Sequence, residues 1–359
     1  MNNHGQLNRR DWNRLALAGA GSLVGGRYLY GAEPAVADKP AEAVQQVAPL
    51  PFVEGSFTIV ALPDTQVYCE RYPQHFLSQT GWIAANKEKH DIQFVVHLGD
   101  ITNRNTPKQW EVAQAALQKL DGVVPYSLVL GNHDLGPGGN CTTRDTYLND
   151  YVPLDVAKKS PALAGLMDES RLDNSFHTFT TRGQKFLVLA LEFGPRDATV
   201  EWAENIVAKH PDHHVLLTTH AYMYYDDTRY DWTKYGTKQT WNPHNYGTAK
   251  LDGGTNDAEE LWNKIIAKHK NVFMTLNGHV LEDGLGRLTS ANPHGGDVHQ
   301  LLVNYQMKKE GGEGYLRLVE FLPDGKTVQI KAYSPSLDEY KTDPQNQFVL
   351  TLDPVWKLA

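Results

Sequence analysis

The sequence has few cysteines, no long apolar run and no excess of basic residues. Two of its 359 residues are cysteine, which is too few for a disulfide-stabilised scaffold. It contains no run of 18 apolar residues, so a conventional membrane-spanning helix is not predicted. The formal net charge of −8 and the lack of a basic stripe argue against a nucleic-acid partner. What remains, with 41% hydrophobic residues, is the composition of a globular protein.

The first 37 residues differ from the rest and resemble an export signal. Arg9 and Arg10 precede a mildly apolar stretch at 15–25, and residues 35–37 offer the small side chains that a signal peptidase reads. The arginine pair is similar to a twin-arginine signal, although its flanking residues depart from the usual ones. The alternative is a disordered tail with a chance arginine pair.

Three segments are therefore predicted. Residues 1–37 form the signal peptide, residues 38–54 form a linker, and residues 55–354 form one domain. Such a signal predicts export by the twin-arginine machinery to a periplasmic or extracellular location.

The rest of the chain alternates short apolar runs with helical patterns. The runs are continuous rather than alternating, which is typical of strands buried on both faces. They lie at 57–62, 94–98, 126–130, 186–191, 215–218 and 272–276. Helices are predicted at 76–89, 109–120, 202–210 and 258–269, and antiparallel hairpins at 175–191 and 315–332. This alternation predicts a layered α/β fold.

Polar residues of unusual type follow five of these runs. They are Asp64 with Gln66, Gly99-Asp100 with Asn103, Gly131-Asn132-His133-Asp134, His220, and Gly278-His279. Ligands of open α/β sheets bind beyond the carboxyl ends of the strands, so these side chains are expected to converge. Carboxylate, amide oxygen and imidazole together suit Mn, Fe or Zn. Two cations that share one aspartate could stabilise a phosphoryl displacement.

In this order, the residues resemble the calcineurin-like metallophosphoesterase superfamily, and more narrowly a bacterial secreted branch with Asp-Thr-Gln at its first motif. They span residues 64–279, and the Gly-Asn-His-Asp block is the most specific element. The resemblance implies a four-layer α-β-β-α sandwich with two facing mixed sheets and a dinuclear metal centre at one edge. It also implies an enzyme that hydrolyses a small phosphate mono- or diester by a metal-activated hydroxide.

The resemblance assigns metal ligands residue by residue. Asp100 would bridge the two metals, and Asp64 would belong to one site. The other site would be completed by Asn132, His220 and His279. His133, oriented by Asp134, would stabilise the transition state or protonate the leaving group.

Two departures from the family pattern concern a single metal site. Gln66 replaces the histidine of Asp-x-His, and Leu281 replaces the second histidine of Gly-His-x-His. An all-oxygen site made of Asp64, Asp100 and the amide oxygen of Gln66 is harder in character and binds more weakly. We therefore predict one tight ion (Mn, Fe or Zn) and one weaker ion (Mn, Mg or Ca). Open candidates for substitute ligands are Glu282, Asp283 and His299.

Other residues are open to more than one interpretation. Arg196 could bind a substrate phosphate or form a surface salt bridge. His97 is expected to contact a metal ligand without binding the metal itself, and His244 is expected to form a hydrogen bond within its loop. The aromatic loop at 222–254 could line a substrate site or pack on itself. In an oxidising compartment Cys69 and Cys141 could form a disulfide, the alternative being two inert thiols.

Two other functions contrast with a phosphoesterase. One is a catalytically impaired, metallophosphoesterase-like binding protein, because two histidines of the pattern are missing. The other, a serine esterase, lacks any Gly-x-Ser-x-Gly elbow.

Overall fold

The computed structural model describes residues 47–357, which form two mixed sheets with helices packed beside them. The strands are β1 (Phe57–Leu62), β2 (Ile92–His97), β3 (Tyr126–Leu128), β4 (Leu163–Leu166), β5 (Ser175–Thr181), β6 (Gln184–Leu191), β7 (His214–Thr219), β8 (Val272–Asn277), β9 (Leu285–Ala291), β10 (Asp297–Val303), β11 (Leu316–Phe321), β12 (Thr327–Ser334), β13 (Glu339–Lys341) and β14 (Phe348–Thr351). The helices are α1 (Gln66–Arg71), α2 (Pro73–Asn86), α3 (Pro107–Leu117), α4 (Leu148–Tyr151), α5 (Leu154–Ala157), α6 (Asp197–Lys209), α7 (Trp232–Tyr235) and α8 (Ala258–Lys264), with several single-turn helices. Within this part of the chain, no helix has the length and apolar character needed to cross a membrane. The predicted signal peptide lies outside the described residues.

Both sheets are mixed: sheet 1 has its parallel strands at one margin, and sheet 2 has a parallel centre between antiparallel margins. Sheet 1 has the order β13-β12-β11-β1-β2-β3, and β14 also pairs with β12. Sheet 2 has the order β4-β5-β6-β7-β8-β10-β9. Strands β1 to β3 are parallel in sheet 1, as are β6, β7, β8 and β10 in sheet 2. The predicted hairpins are confirmed as β5–β6 and β11–β12.

The two faces of each central strand pack against different layers, which explains their continuous apolar sequences. In β1, Ile59 belongs to the cluster between the sheets, whereas Val60 packs with Phe76 of α2. The ring centroids of Phe57 in β1 and Phe186 in β6 lie 5.5 Å apart between the sheets. Neighbouring residues of a strand point to opposite faces, so a strand between two apolar layers needs no polar face. The predicted four-layer α-β-β-α sandwich is confirmed.

Helices α2 and α3 begin earlier than their apolar patterns predict. Pro73 and Pro107 occupy their first turns, where a missing N–H breaks no helical hydrogen bond. The sequence pattern detected only the buried faces that begin at Phe76 and Gln109.

Both cysteines are free thiols in buried positions. Cys69 lies in α1, and the sulfur of Cys141 is 3.5 Å from the hydroxyl of Thr248. Of the two alternatives for this pair, the structure has the unpaired thiols.

A fully buried ion pair in sheet 1 anchors the start of the described chain. Lys331 of β12 pairs with Glu320 of β11, and neither side chain is exposed. Glu320 Oε1 also accepts hydrogen bonds from Val53 N at 2.8 Å and Ser56 Oγ at 2.7 Å. Lys331 Nζ donates to Pro51 O at 3.1 Å. The last residues of the predicted linker at 38–54 are thus bonded to the sheet.

We predict that Lys331→Met lowers the free energy of unfolding by about 3–5 kcal/mol, because Glu320 would stay buried without its counter-charge. Urea denaturation monitored by tryptophan fluorescence measures this loss. The double variant Lys331→Met/Glu320→Gln should recover part of it, since glutamine keeps an acceptor without a charge. A single variant as stable as the wild type would contradict the assigned role of the pair.

Candidate metal centre

Three strands of sheet 1 each end in a polar side chain at the same edge. Asp64 follows β1, Asp100 follows β2, and Asn132 follows β3. All three side chains are at least nine-tenths buried. The parallel direction of β1 to β3 brings them together, as expected for residues beyond the carboxyl ends of parallel strands.

Sheet 2 contributes two histidines to the same place. His220 follows β7 and His279 follows β8. The possible ligand atoms of Asp100, His220 and His279 all lie within 4.8 Å of one another. His220 Nε2 is 3.2 Å from Asp100 Oδ1, within ion-pair distance, although the angles are not those of a hydrogen bond. This is the arrangement expected of two ligands that face a common ion.

Main-chain carbonyls hold both imidazoles in a defined tautomer. His220 Nδ1 donates to Leu98 O at 2.7 Å, and His279 Nε2 donates to Trp241 O at 2.8 Å. A carbonyl only accepts, so the bonded nitrogen carries a proton, and in the neutral imidazole the other nitrogen keeps its lone pair for a metal. Such contacts orient metal-binding histidines and fix the nitrogen that binds.

Three atoms of the predicted ligand set are buried without a hydrogen-bond partner among the described residues. They are Gln66 Oε1, Asn132 Oδ1 and His220 Nε2. Buried polar atoms nearly always have a partner, so each exception requires an explanation. Bound divalent cations would give these atoms partners, since oxygen and imidazole are suitable ligands for such ions. The residues present therefore fit a divalent metal.

The carboxylate of Asp64 is held by residues of sheet 2. Both of its oxygens lie 3.2 Å from His279 N, and Oδ2 also accepts from Asn304 Nδ2 at 3.0 Å. Sequence reasoning missed Asn304. The signal was its position directly after the strand β10, which is the same kind of position that identified Asp64 and His279.

The charges of the centre favour a positive charge between its carboxylates. Burial raises the pKa of Asp64 to about 8, and the charge of Asp100 adds to this rise against an opposing effect of His220. Burial also disfavours ionised Asp100, but His220 and His133 hold the pKa of this carboxyl below its usual range. Burial lowers the pKa of His220, yet Asp100 and Asp64 outweigh it and raise the pKa to about 9. A divalent cation supplies the positive charge that this cluster stabilises.

His133 lies beside the centre with one nitrogen engaged. Its Nδ1 donates to Asn103 O at 2.9 Å, and its backbone N donates to Asp100 Oδ1 at 2.9 Å. The side chain is half-buried. Its Nε2 is therefore the nitrogen available to a ligand at the centre.

The expectation that Asp134 orients His133 is wrong. The carboxylate of Asp134 is fully buried and accepts hydrogen bonds from the backbone of Gly131, Ile101 and Thr102 and from the Thr102 hydroxyl. These four donors occupy both of its oxygens. Asp134 thus ties the segment after β2 to the segment after β3, and the carbonyl of Asn103 orients the histidine instead.

His97 is not placed to bind an ion and instead hydrogen bonds residues adjacent to two predicted ligands, as predicted. Its Nε2 is 3.0 Å from Thr65 Oγ1, and its Nδ1 accepts from Gly99 N at 3.2 Å. Thr65 and Gly99 directly precede or follow residues of the centre, so His97 supports Asp64 and Asp100 without facing an ion itself.

None of the candidate substitute ligands is supported. Glu282 is exposed, and Asp283 Oδ1 accepts from Leu285 N at 3.1 Å in a local turn. His299 uses both ring nitrogens, with Thr289 Oγ1 at 3.0 Å and Thr351 O at 3.1 Å. Leu281, at the position of the missing histidine, is half-buried and cannot bind a metal.

Arg196 and the aromatic loop at 222–254 are engaged mainly within the protein. Arg196 Nε donates to Glu192 Oε1 at 2.9 Å, so the salt bridge forms, and a phosphate contact stays a prediction. Tyr222 and Tyr230 are fully buried, as expected for a loop that packs its own aromatics. The loop nevertheless reaches the centre through the carbonyl of Trp241.

A second group of potential ligands, His244, Asp257 and Glu260, is explained by local structure. Asp257 caps α8, and Glu260 completes the capping box by accepting from Asp257 N at 2.9 Å. His244 Nε2 lies 2.8 Å from Glu260 Oε2, which places this histidine in a loop contact as predicted.

Glycines allow the carboxylates to approach the neighbouring backbone. A Cβ at Gly131 would collide with Asp100 Oδ1, and a Cβ at Gly278 would collide with Asp64 Oδ1.

We predict that Gly278→Ala displaces Asp64 and weakens Mn²⁺ binding on the order of tenfold or more. Titration calorimetry measures this change. Gly81→Ala is the control, because its Cβ would meet no heavy atom closer than 3.9 Å, and equal Mn²⁺ affinity in both variants would contradict the prediction.

Comparison with known proteins identifies relatives of this arrangement. The model of the calcineurin-like phosphoesterase family matches residues 57–251, which is more than half of the chain. The uncharacterized protein YvnB of Bacillus subtilis (strain 168) is 28% identical over 318 residues, covering 85% of this chain and 22% of YvnB. The chain therefore spans about a fifth of the length of that relative.

Comparison with solved structures finds one with the same fold and others that align less closely. A dimetal phosphatase from Danio rerio aligns with a TM-score of 0.50 and 13% identity, over 82% of this chain and 98% of that one. The purple acid phosphatase PPD1 from yellow lupin (Lupinus luteus) seeds aligns with a TM-score of 0.47 and 15% identity, over 84% and 55% of the two chains. On the match of the family model, this chain belongs to the calcineurin-like phosphoesterases, a family of hydrolases that act on phosphoric ester bonds.

Proposed function

We propose that this chain is an exported, metal-dependent phosphoesterase that hydrolyses a small phosphate mono- or diester at the edge shared by the two sheets. The observation that carries the proposal is that three buried ligand atoms have no hydrogen-bond partner within residues 47–357: Gln66 Oε1, Asn132 Oδ1 and His220 Nε2. The chain belongs to a family of phosphoesterases, and the Danio rerio neighbour of the same fold is named a dimetal phosphatase.

The proposed centre holds one tight and one weaker ion. Asp100 with Asn132, His220 and His279 combines oxygen and imidazole, which suits Mn, Fe or Zn. Asp64, Asp100 and Gln66 provide oxygen ligands only, which suits Mn, Mg or Ca and gives weaker binding.

Divalent cations at such a centre supply Lewis-acid activation of water and neutralise the charge of the phosphoryl group. The protein itself contributes orientation and proton transfer. His133 is fixed at Nδ1 by Asn103 O, so its Nε2 can hydrogen bond a phosphoryl oxygen or protonate the leaving oxygen. Asp134 keeps the backbone of both motifs in place through its four accepted hydrogen bonds.

A catalytically impaired binding protein is the second candidate, and the absence of imidazole at Gln66 and Leu281 favours it. Against it stands the retained set around Asn132, with both histidines held in binding-competent tautomers. Burying these polar groups has no structural benefit unless they bind something.

Export is the part of the proposal that depends on sequence alone. Its support is the arginine pair Arg9-Arg10, the apolar stretch at 15–25 and the small residues at 35–37. A periplasmic or extracellular location follows from such a signal.

We predict that metal-stripped protein regains hydrolysis of bis-p-nitrophenyl phosphate or p-nitrophenyl phosphate when Mn, Mg, Ca, Zn or Fe is added singly. His133→Ala should lower kcat by about 10²–10⁴, because it removes the proposed general acid. His210→Ala is a matched control, since that histidine also donates Nδ1 to a main-chain carbonyl, Ile206 O at 2.7 Å, but lies at the end of α6.

The preferred ester in this assay distinguishes a diesterase from a monoesterase. Full activity in His133→Ala would overturn the assigned role of that residue. A lack of turnover with every metal would favour the binding protein.

A further inference from the structure

Asn304 extends the series of strand ends that build the centre. Strand β10 is parallel to β8, and Leu302 lies opposite Asn277 in their register. Continuing this register by two residues places Asn304 level with His279. The side chain of Asn304 is fully buried, and no motif of the sequence marks it.

The side-chain amide of Asn304 has one defined orientation. Its Nδ2 donates to Asp64 Oδ2 at 3.0 Å, and its Oδ1 accepts from Gln306 N at 2.9 Å. A backbone N–H can only donate, so the oxygen of the amide must face Gln306. Its backbone N also donates to Gly284 O at 2.7 Å, which fixes Asn304 to the segment after β8.

The contact between Asn304 and Asp64 lies on the side of the centre where Gln66 and Leu281 replace the histidines of the family pattern. The proposed weaker ion has Asp64, Asp100 and Gln66 as its ligands, and Leu281 contributes none. With so few ligands, the binding of this ion depends on how rigidly each carboxylate is held. Hydrogen bonds to a coordinating carboxylate fix its rotamer and commonly change metal affinity.

We propose that Asn304 is a positioning residue for the weaker metal site, holding Asp64 in the orientation in which it binds the ion. Its own oxygen is used by Gln306 N, so it acts through Asp64 and not as a ligand. This inference rests on the proposed function, because it requires that Asp64 bind a cation.

Asn304→Leu tests the proposal, and Asn292→Leu is its matched control. Asn292 lies at the opposite end of the β9–β10 hairpin and is also buried. Its Oδ1 accepts from the residue two positions on, His294 N at 2.9 Å, just as that of Asn304 does. Its Nδ2 donates to two main-chain carbonyls, Ile266 O and His269 O, instead of to a carboxylate.

The probe is Mn²⁺ alone, titrated into the metal-stripped full chain and followed by calorimetry and by electron paramagnetic resonance of free Mn²⁺. We expect Asn304→Leu to weaken the second, weaker Mn²⁺ site by about 10- to 100-fold and to leave the tighter site unchanged. Asn292→Leu should lower the thermal midpoint of unfolding without changing either Mn²⁺ affinity.

A second variant covers the case in which Asn304→Leu fails to fold. Asn304→Ser keeps a side-chain oxygen that can accept from Gln306 N, so the local turn is retained, but it is too short to reach Asp64. The same loss of affinity at the weaker site is expected.

Three outcomes would overturn the inference. In the first, the folded Asn304 variants bind both ions as the wild type does. In the second, both sites weaken together, or Asn292→Leu gives the same loss, which would show a merely structural role. In the third, the wild-type chain binds a single Mn²⁺, which would also remove the weaker ion from the proposed function; the first two outcomes leave that function intact.

Discussion

Two buried carboxylates, Asp64 and Asp100, impose the constraint on which the rest of the centre depends. Both are almost completely removed from solvent, and the charge of Asp100 disfavours ionisation of Asp64. Buried like charges are unfavourable unless a positive charge lies between them. The surrounding groups are arranged accordingly: carbonyls hold a histidine pair, and the amide oxygens have no hydrogen-bond partner in the described part of the chain. Divalent cations are the simplest groups that satisfy them.

The same contacts also join the two sheets. His220 of sheet 2 donates to Leu98 O of sheet 1, and Asp64 of sheet 1 accepts from His279 N of sheet 2. Packing of the sheets and the geometry of the centre therefore depend on common residues. Sites supported by regular strands hold their ligands more precisely than sites on loops. This explains how a centre with two missing imidazoles can keep its remaining ligands aligned.

The sequence predicted what depends on strand direction and local motifs. Residues that follow continuous apolar strands, such as Asp100 and His220, were predictable because parallel strands end at one edge. The role of Asp134 was not, because its partners are backbone N–H groups at 101–102 whose direction depends on the folded turn. Asn304 follows a strand, but it was missed because its contact with Asp64 depends on β10 lying beside β8, a pairing that no local pattern encodes.

The candidate substitute ligands failed for a related reason. Asp283 and His299 are of suitable chemical type, but other partners engage them: a turn N–H bonds Asp283, and Thr289 of β9 and Thr351 of β14 bond His299. Residue type and proximity in sequence therefore identify possible ligands, whereas the side-chain partners in the fold decide which of them remain free.

The account's central claim is that ions bind on both sides of Asp100, tightly beside the histidines and more weakly beside Asp64. Anomalous X-ray diffraction at the Mn absorption edge, from crystals grown with Mn²⁺, tests it most directly. We expect a strong peak bounded by Asn132, His220 and His279, and a weaker peak bounded by Asp64 and Gln66. A map with a single peak beside Asp100, with no peak there, or with its only strong peak at His244, would contradict the claim.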